Sequence, residues 1–207
     1  MSESRPRVAL TFDAEHPDRP GAGAGTVDRI LATLRAAEAP ATFFIQGRWA
    51  EAEPEAARRI ADEGHLIGNH SHYHSRMTLL SDLGVRADVE HADTAVTDAT
   101  GRATRPWFRC PFGDGYDSPR VLDLLRDLGY RNVHWHVLLE DWEPWRTAED
   151  IARDAIDGAG RHGDGAVVLL HTWPDRTADA LPMIVDGLRA GGADLVRVDQ
   201  LPEEALR

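Results

Sequence analysis

The sequence predicts an α/β fold in which a parallel sheet is covered by helices. Short apolar runs alternate with segments of helical periodicity along the whole 207-residue chain, which is typical of successive βαβ units. A complete eight-fold barrel takes about 250 residues, more than this chain contains. We therefore expect a distorted or incomplete (β/α)7–8 barrel, with an open doubly wound sheet as the alternative.

The predicted strands are short and mostly apolar. No linker-like stretch, internal repeat or low-complexity tract separates them, so we expect one domain over residues 1–207. Strands are predicted at 7–12, 41–45, 65–68, 107–108, 132–135, 166–170 and 195–198.

The predicted helices rest on end signals and on apolar spacing. Thr26 is a suitable N-cap for a first helix that ends before Pro40, and Gly64 ends a second. Apolar residues three or four positions apart, from Val85 to Val96, predict a long amphipathic helix. Beyond the first, helices are predicted at 54–63, 80–100, 118–128, 147–159 and 177–190.

A glycine-rich segment follows the first predicted strand. Gly21, Gly23 and Gly25 partly resemble a phosphate-binding loop, but the spacing differs and no lysine follows. We therefore predict a flexible loop just past Asp13.

Composition excludes several classes of partner and of fold. The 23 basic residues are all arginine and face 35 acidic ones, so the net charge is 23 − 35 = −12. Such a charge argues against nucleic acid or an anionic membrane as the main partner. The single Cys110 excludes an intrachain disulfide framework. No apolar run spans a bilayer, and the first residues lack a signal-peptide pattern, so we expect a cytoplasmic protein.

Unusual polar residues cluster where the predicted strands end. In both candidate folds, catalytic groups lie just past the carboxyl ends of strands. Five of these positions carry side chains suited to chemistry, so the pattern predicts an active site there. They hold Asp13 with Glu15, His70 with His74, Arg109, Asp141 and His171.

Two histidines and two carboxylates have the spacing of a metal site. His70 and His74 are four residues apart, so a helical turn would direct both imidazoles to one side. Hydrolytic zinc sites use three protein ligands and keep one open position. Asp13 and Glu15 point the same way from an extended segment, so one can bind the metal while the other acts as a base.

The ordered motifs resemble those of the polysaccharide deacetylase family, the NodB-homology domain of carbohydrate esterase family 4. The family pattern is TFDDG, H[ST]xxH, RxP[YF], DxxDW and LxH. The corresponding segments here are TFDAE at 11–15, HSHYH at 70–74, RCPF at 109–112, LLEDW at 138–142 and LLH at 169–171. Each motif is weak alone, but the ordered set is specific.

The resemblance implies removal of an N-acetyl group from an N-acetylated sugar or glycan, with release of acetate. It implies a divalent metal held by His70 and His74. Asp13 would be the general base, and Arg109 would keep it ionised. Zinc is expected, and cobalt, nickel or iron also suit such ligands.

The later motifs imply the remaining roles. The backbone N–H of Phe112 would help to form an oxyanion hole. His171 would be the general acid, oriented by Asp141. Trp142 would offer an apolar face to a sugar ring, and Trp173 is expected to line the pocket beside it.

The chain departs from the family pattern where the third metal ligand is expected. Ala14 replaces that aspartate, and we expect Glu15 to take its place, with His16 as a second possible substitute. Two further hypotheses stay open: an intracellular amidohydrolase acting on a small amide or cyclic imide, and a glycan-binding pseudoenzyme. The oligomeric state is open as well.

Overall fold

The computed structural model describes residues 5–18 and 25–206, so Gly21 and Gly23 of the glycine-rich segment lie outside the described residues. The chain divides into two compact units, which are described separately. Of the described residues, one unit contains 5–12, 25–42 and Trp135–Leu206. The other unit contains 13–18 and Phe43–His134. No helix in the described ranges is long and apolar enough to cross a membrane.

The described strands form one sheet, which confirms the predicted α/β class. Its order is β5-β4-β3-β2-β1-β7-β6, and β8 pairs with β1. Pairing is parallel between β1 and β8, β3 and β4, β4 and β5, and β6 and β7. The strands are β1 (Arg7–Ala14), β2 (Thr42–Ile45), β3 (Leu66–Asn69), β4 (Trp107–Phe108), β5 (Arg131–Asn132), β6 (Val137–Leu138), β7 (Ala166–His171) and β8 (Asp194–Leu195).

The helices follow the predicted pattern, with one addition and one corrected cap. Ser81 and Thr147 cap α4 and α6 through their side chains. Thr26 is not an N-cap: Gly25 holds that position with φ 90°, and the Thr26 hydroxyl donates to Asp175. The helices are α1 (Thr26–Ala36), α2 (Gly47–Ala52), α3 (Pro54–Asp62), α4 (Asp82–Thr100), α5 (Pro119–Asp127), α6 (Ala148–His162) and α7 (Asp175–Ala190).

Three local differences have simple causes. Helix α2 has only six residues, too few to show a helical period. The strand predicted at 132–135 is instead the end of β5, followed by the buried Val133. Of the last predicted strand, 195–198, only Leu195 is strand, as the end of β8 (Asp194–Leu195), and Val198 begins a short 3₁₀ turn. An apolar run signals burial, and buried chain is not always paired as a strand.

Each unit has its own apolar packing. In the second unit, Val85, Val89 and Val96 of α4 are fully buried, as their spacing predicts. In the first unit, α6 packs on α7, and Gly187 permits the approach because a Cβ there would lie 2.2 Å from Ile156 Cδ1. Side chains at the strand ends are therefore presented by tightly packed scaffolds.

Candidate active site

Three predicted ligands meet in the second unit. Glu15 follows β1, and His70 follows β3. Glu15 Oε2 lies 3.2 Å from His70 Nε2 and 2.5 Å from His74 Nε2. The ligand atoms of all three residues lie within 4.8 Å of one another. The side chains are at most 7% exposed, so the cluster is a buried His₂–carboxylate set suited to a divalent ion.

The two histidines converge through a turn, and the expected helical turn is wrong. Ser71 and His74 both have positive φ values, 63° and 56°. The Ser71 N–H donates to Asn69 Oδ1, and the His74 N–H donates to Ser71 Oγ at 2.9 Å. These bonds satisfy the backbone in a left-handed conformation that is costly outside glycine.

Asp88 of α4 also stabilises this turn, because its carboxylate accepts two of the turn's backbone hydrogen bonds. Its two carboxylate oxygens accept the N–H groups of His72 and Tyr73 at 3.0 and 3.1 Å. Asp88 is only 5% exposed. Sequence reasoning missed this residue, although a carboxylate within the apolar stripe of an amphipathic helix signals a buried polar contact.

Arg109 forms hydrogen bonds with Asp13, the predicted base, and with His70, a predicted metal ligand. Its Nη1 donates to Asp13 Oδ1 at 2.9 Å, and its backbone oxygen accepts from His70 Nδ1 at 2.9 Å. The guanidinium also lies 4.1 Å from the centre of the Phe44 ring. Because the carbonyl can only accept, His70 carries a proton on Nδ1, and Nε2 is the ring nitrogen that faces Glu15.

Burial and charge shift the basicity of these groups. Burial lowers the pKa of Arg109, and the neighbouring Asp13 opposes that shift. Burial also lowers the pKa of His70, but Asp13 and Glu15 outweigh it, so the pKa is raised overall. Burial lowers the pKa of His74 below its usual value. The two imidazoles therefore differ in basicity although they share one carboxylate.

Phe112 lies beside the cluster in an unusual backbone conformation. Its φ is 58°, and its side chain is 54% exposed. The ring meets the edge of His74 with centroids 4.4 Å apart, and the Arg76 guanidinium lies 4.6 Å from its centre. The oxyanion role of its backbone N–H stays a prediction.

The first unit contains the second predicted pair. Asp141 Oδ1 accepts from His171 Nδ1 at 2.7 Å, and Oδ2 accepts the His171 backbone N–H at 2.8 Å. Thr177 of α7 adds a hydroxyl donor to Oδ2 at 2.6 Å. Sequence reasoning missed Thr177, which reaches Asp141 across 36 positions of sequence.

Two half-buried tryptophans flank His171. The Trp142 ring is nearly perpendicular to the imidazole, with centroids 5.0 Å apart, and the Trp173 ring lies 6.0 Å away. Both rings therefore contact the histidine for which a proton-transfer role is predicted. Their role in binding a sugar stays a prediction.

A parallel α/β fold with a buried His₂–carboxylate cluster and an Asp–His pair at strand ends fits the class of metal-assisted hydrolases. The sequence model of the polysaccharide deacetylase family matches residues 1–133. The chain belongs to this family, whose deacetylases hydrolyse carbon–nitrogen bonds, and it is an enzyme of that class.

Individual relatives agree with this assignment. The peptidoglycan-N-acetylmuramic acid deacetylase PdaA of Bacillus subtilis is 29% identical over 94% of this chain and 70% of its own length. A chitooligosaccharide deacetylase of Rhizobium leguminosarum is 29% identical over 93% of this chain and 90% of its own length.

A solved structure confirms the predicted NodB-type barrel. It is a mutant, with restored enzymatic activity, of a carbohydrate esterase family 4 pseudoenzyme from Bacillus anthracis. The TM-score is 0.84 at 27% identity, covering 95% of this chain and 67% of that chain.

Proposed function

We propose that this protein is a metal-dependent deacetylase that removes the N-acetyl group from an N-acetylated sugar or glycan. The observation that carries the proposal is the Glu15, His70 and His74 cluster beside an Asp13 that is ion-paired with Arg109. We propose that residues 1–207 form one catalytic domain.

The three clustered side chains fit a divalent cation. Two imidazoles and one carboxylate are ligands of hydrolytic zinc sites, and the His70 tautomer leaves Nε2 available for coordination. A bound divalent ion supplies a Lewis acid that polarises the amide carbonyl and makes water more acidic. Zinc is the proposed ion, with cobalt, nickel or iron as substitutes.

Asp13 acts as the general base on the attacking water. Arg109 donates to one of its oxygens, Oδ1, and the other oxygen, Oδ2, lies 3.4 Å from His70 Nε2. The carboxylate form of an aspartate is the form that accepts a proton. The backbone N–H of Phe112 stabilises the oxyanion of the tetrahedral intermediate.

His171 protonates the leaving amine. Because Nδ1 is bonded to Asp141, the proton to be transferred resides on Nε2. The carboxylate also stabilises the charged imidazolium before transfer. The products are acetate and a free amino sugar.

The substrate class is inferred from chemistry and from the relatives. Trp142 and Trp173 offer apolar ring faces of the kind that sugars stack on. Relatives named for N-acetylmuramic acid and for chitooligosaccharides support an N-acetylated glycan. Ala14 motivates a second candidate, a pseudoenzyme that binds glycan without cleaving it.

Metal removal and reloading test the proposal. Purified protein is stripped with a chelator, reloaded with Zn²⁺ or Co²⁺, and assayed for acetate release from chitooligosaccharides and N-acetylmuramic-acid-containing glycan. We expect turnover to disappear with the metal and to return on reloading. Glu15→Ala should lose bound metal, whereas Glu90→Ala, an exposed glutamate of α4, should not.

Two results would contradict the proposal. Turnover that survives complete metal removal excludes metal dependence. A reloaded protein that binds glycan but releases no acetate supports the pseudoenzyme instead. A parallel panel of small amides and cyclic imides tests the amidohydrolase alternative.

A further inference from the structure

Gln46 forms hydrogen bonds to the backbone on both sides of Glu15. The Gln46 backbone N–H donates to the Ala14 carbonyl at 2.9 Å, and Gln46 Oε1 accepts the His16 backbone N–H at 3.0 Å. Gln46 is 3% exposed. These two bonds hold His16 at φ 56°, a conformation that non-glycine residues seldom adopt.

In this backbone conformation the His16 ring contacts two of the proposed metal ligands, Glu15 and His74. His16 Nε2 lies 3.0 Å from Glu15 Oε1, and the ring packs edge-on against His74 with centroids 4.7 Å apart. Glu15 Oε2 is the oxygen that faces His70 and His74. The two oxygens of one carboxylate therefore have separate partners.

We propose that His16 is a positioning residue that fixes Glu15 as a metal ligand, with Gln46 holding His16 in place. The inference rests on the proposed metal function. A glutamate has more rotatable bonds than an aspartate and loses more entropy when it is fixed. A donor on the non-coordinating oxygen removes that freedom before the metal arrives, as outer partners of metal ligands do elsewhere.

The geometry favours positioning over direct ligation by His16. The Nε2 atom of His16 lies within donating distance of Glu15 Oε1, at 3.0 Å, and the imidazole packs against the His74 ring. The assignment also accounts for a glutamate at position 15 in a chain that has Ala14 where the family pattern has an aspartate.

Three variants separate the possible roles. His16→Gln keeps an amide N–H near the position of Nε2, and His16→Ala removes the donor. His162→Ala, an exposed histidine of α6, is the matched control. Zn²⁺ affinity is measured by competition with a chromogenic chelator, and ligand geometry is read from the visible spectrum of the Co²⁺-loaded protein.

We expect His16→Ala to weaken Zn²⁺ binding by about 10- to 100-fold, the usual effect of losing an outer partner. Its Co²⁺ spectrum should change as Glu15 becomes mobile. His16→Gln should restore both the affinity and the spectrum, and His162→Ala should leave both unchanged. Thermal unfolding of the metal-free proteins verifies that each variant folds.

Two results would overturn the inference while leaving the proposed function intact. One is an unchanged affinity in His16→Ala. The other is a loss in His16→Gln as large as that in His16→Ala, which would make His16 a ligand itself. If the unaltered protein binds neither Zn²⁺ nor Co²⁺, the proposed function fails and the inference fails with it.

Discussion

Asp141 holds His171 at two points, through Nδ1 at 2.7 Å and through the backbone N–H at 2.8 Å. A ring bonded in this way has a fixed tautomer and a restricted orientation. Thr177 adds a third donor to the same carboxylate. The imidazole proposed for proton transfer is thus positioned through its own backbone as well as through its side chain.

Thr177→Val should lower kcat by about 10-fold, equivalent to about 1.4 kcal/mol of activation free energy, and change KM little. Valine keeps the shape of threonine but removes the donor to Asp141, so the carboxylate holds the imidazole less firmly. Steady-state acetate release measures both constants. Thr177→Ser retains a hydroxyl and should recover most of the rate; an unaltered kcat in the valine variant would contradict the prediction.

Asp13→Asn should reduce turnover by about 10²- to 10⁴-fold, the usual contribution of a general base. The amide keeps the size of the side chain but cannot accept the proton. Metal content is measured together with acetate release, because the prediction requires the metal to remain bound. His171→Ala should give a comparable loss, and near-normal rates in either variant would exclude the assigned role.

Arg109→Met should destabilise the fold by about 3–5 kcal/mol, because it leaves the Asp13 carboxylate buried without its charged partner. Urea unfolding of metal-free protein measures the change. The double variant Arg109→Met with Asp13→Asn removes the unpaired charge and should recover part of the loss. Equal stability of the single and double variants would show that the pair does not cause the effect.

Cys110 should resist thiol reagents in the native protein. It is 1% exposed, and burial raises the pKa of its thiol well above the usual value, so the reactive thiolate is scarce near neutral pH. Labelling followed by mass spectrometry should be slow without denaturant and complete in urea. Rapid labelling of folded protein would contradict the burial and reopen a chemical role for this residue.

Asp164 should contribute to stability in a pH-dependent way. Hydrogen bonds from the Arg7 side chain and backbone lower its pKa to about 2. Because the folded-state pKa lies below the unfolded value of about 3.9, the contribution is complete above that value and is lost as the pH falls towards about 2.

Asp164→Asn should therefore lower Tm near neutral pH, and the difference from the unaltered protein should shrink on acidification. Scanning calorimetry across the acidic range measures it. Asp157→Asn on α6 is a control for the loss of one carboxylate. A difference that stays constant down to the lowest pH would contradict the ion-pair origin.

The sequence was sufficient to predict the residues at the strand ends. Asp13 directly follows an apolar run and His171 ends one, and catalytic groups of parallel α/β folds lie at the carboxyl ends of strands. Alternation along an extended segment also explains why Glu15, two positions after Asp13, shares its side. These relations are local, so one sequence contains them.

Local sequence patterns could not predict the residues that hold the site residues in place. Gln46, Asp88 and Thr177 act on backbone or carboxylate groups that are distant in sequence, and the pairing depends on packing. The turn after His70 is similar: its two positive φ values depend on Asn69 and Ser71 hydrogen bonds, not on helical periodicity. A motif shows which reactive side chains are present, whereas these hydrogen bonds determine where those side chains lie.

Ala14 lies in β1 between two functional carboxylates, and its side chain is completely buried. A carboxylate at this position would be introduced into packed surroundings with the desolvation penalty of a buried charge. We therefore expect Ala14→Asp to lower the free energy of unfolding. Position-by-position scoring of motifs counts this site as defective, whereas the ligand proposed here, Glu15, comes directly after the strand.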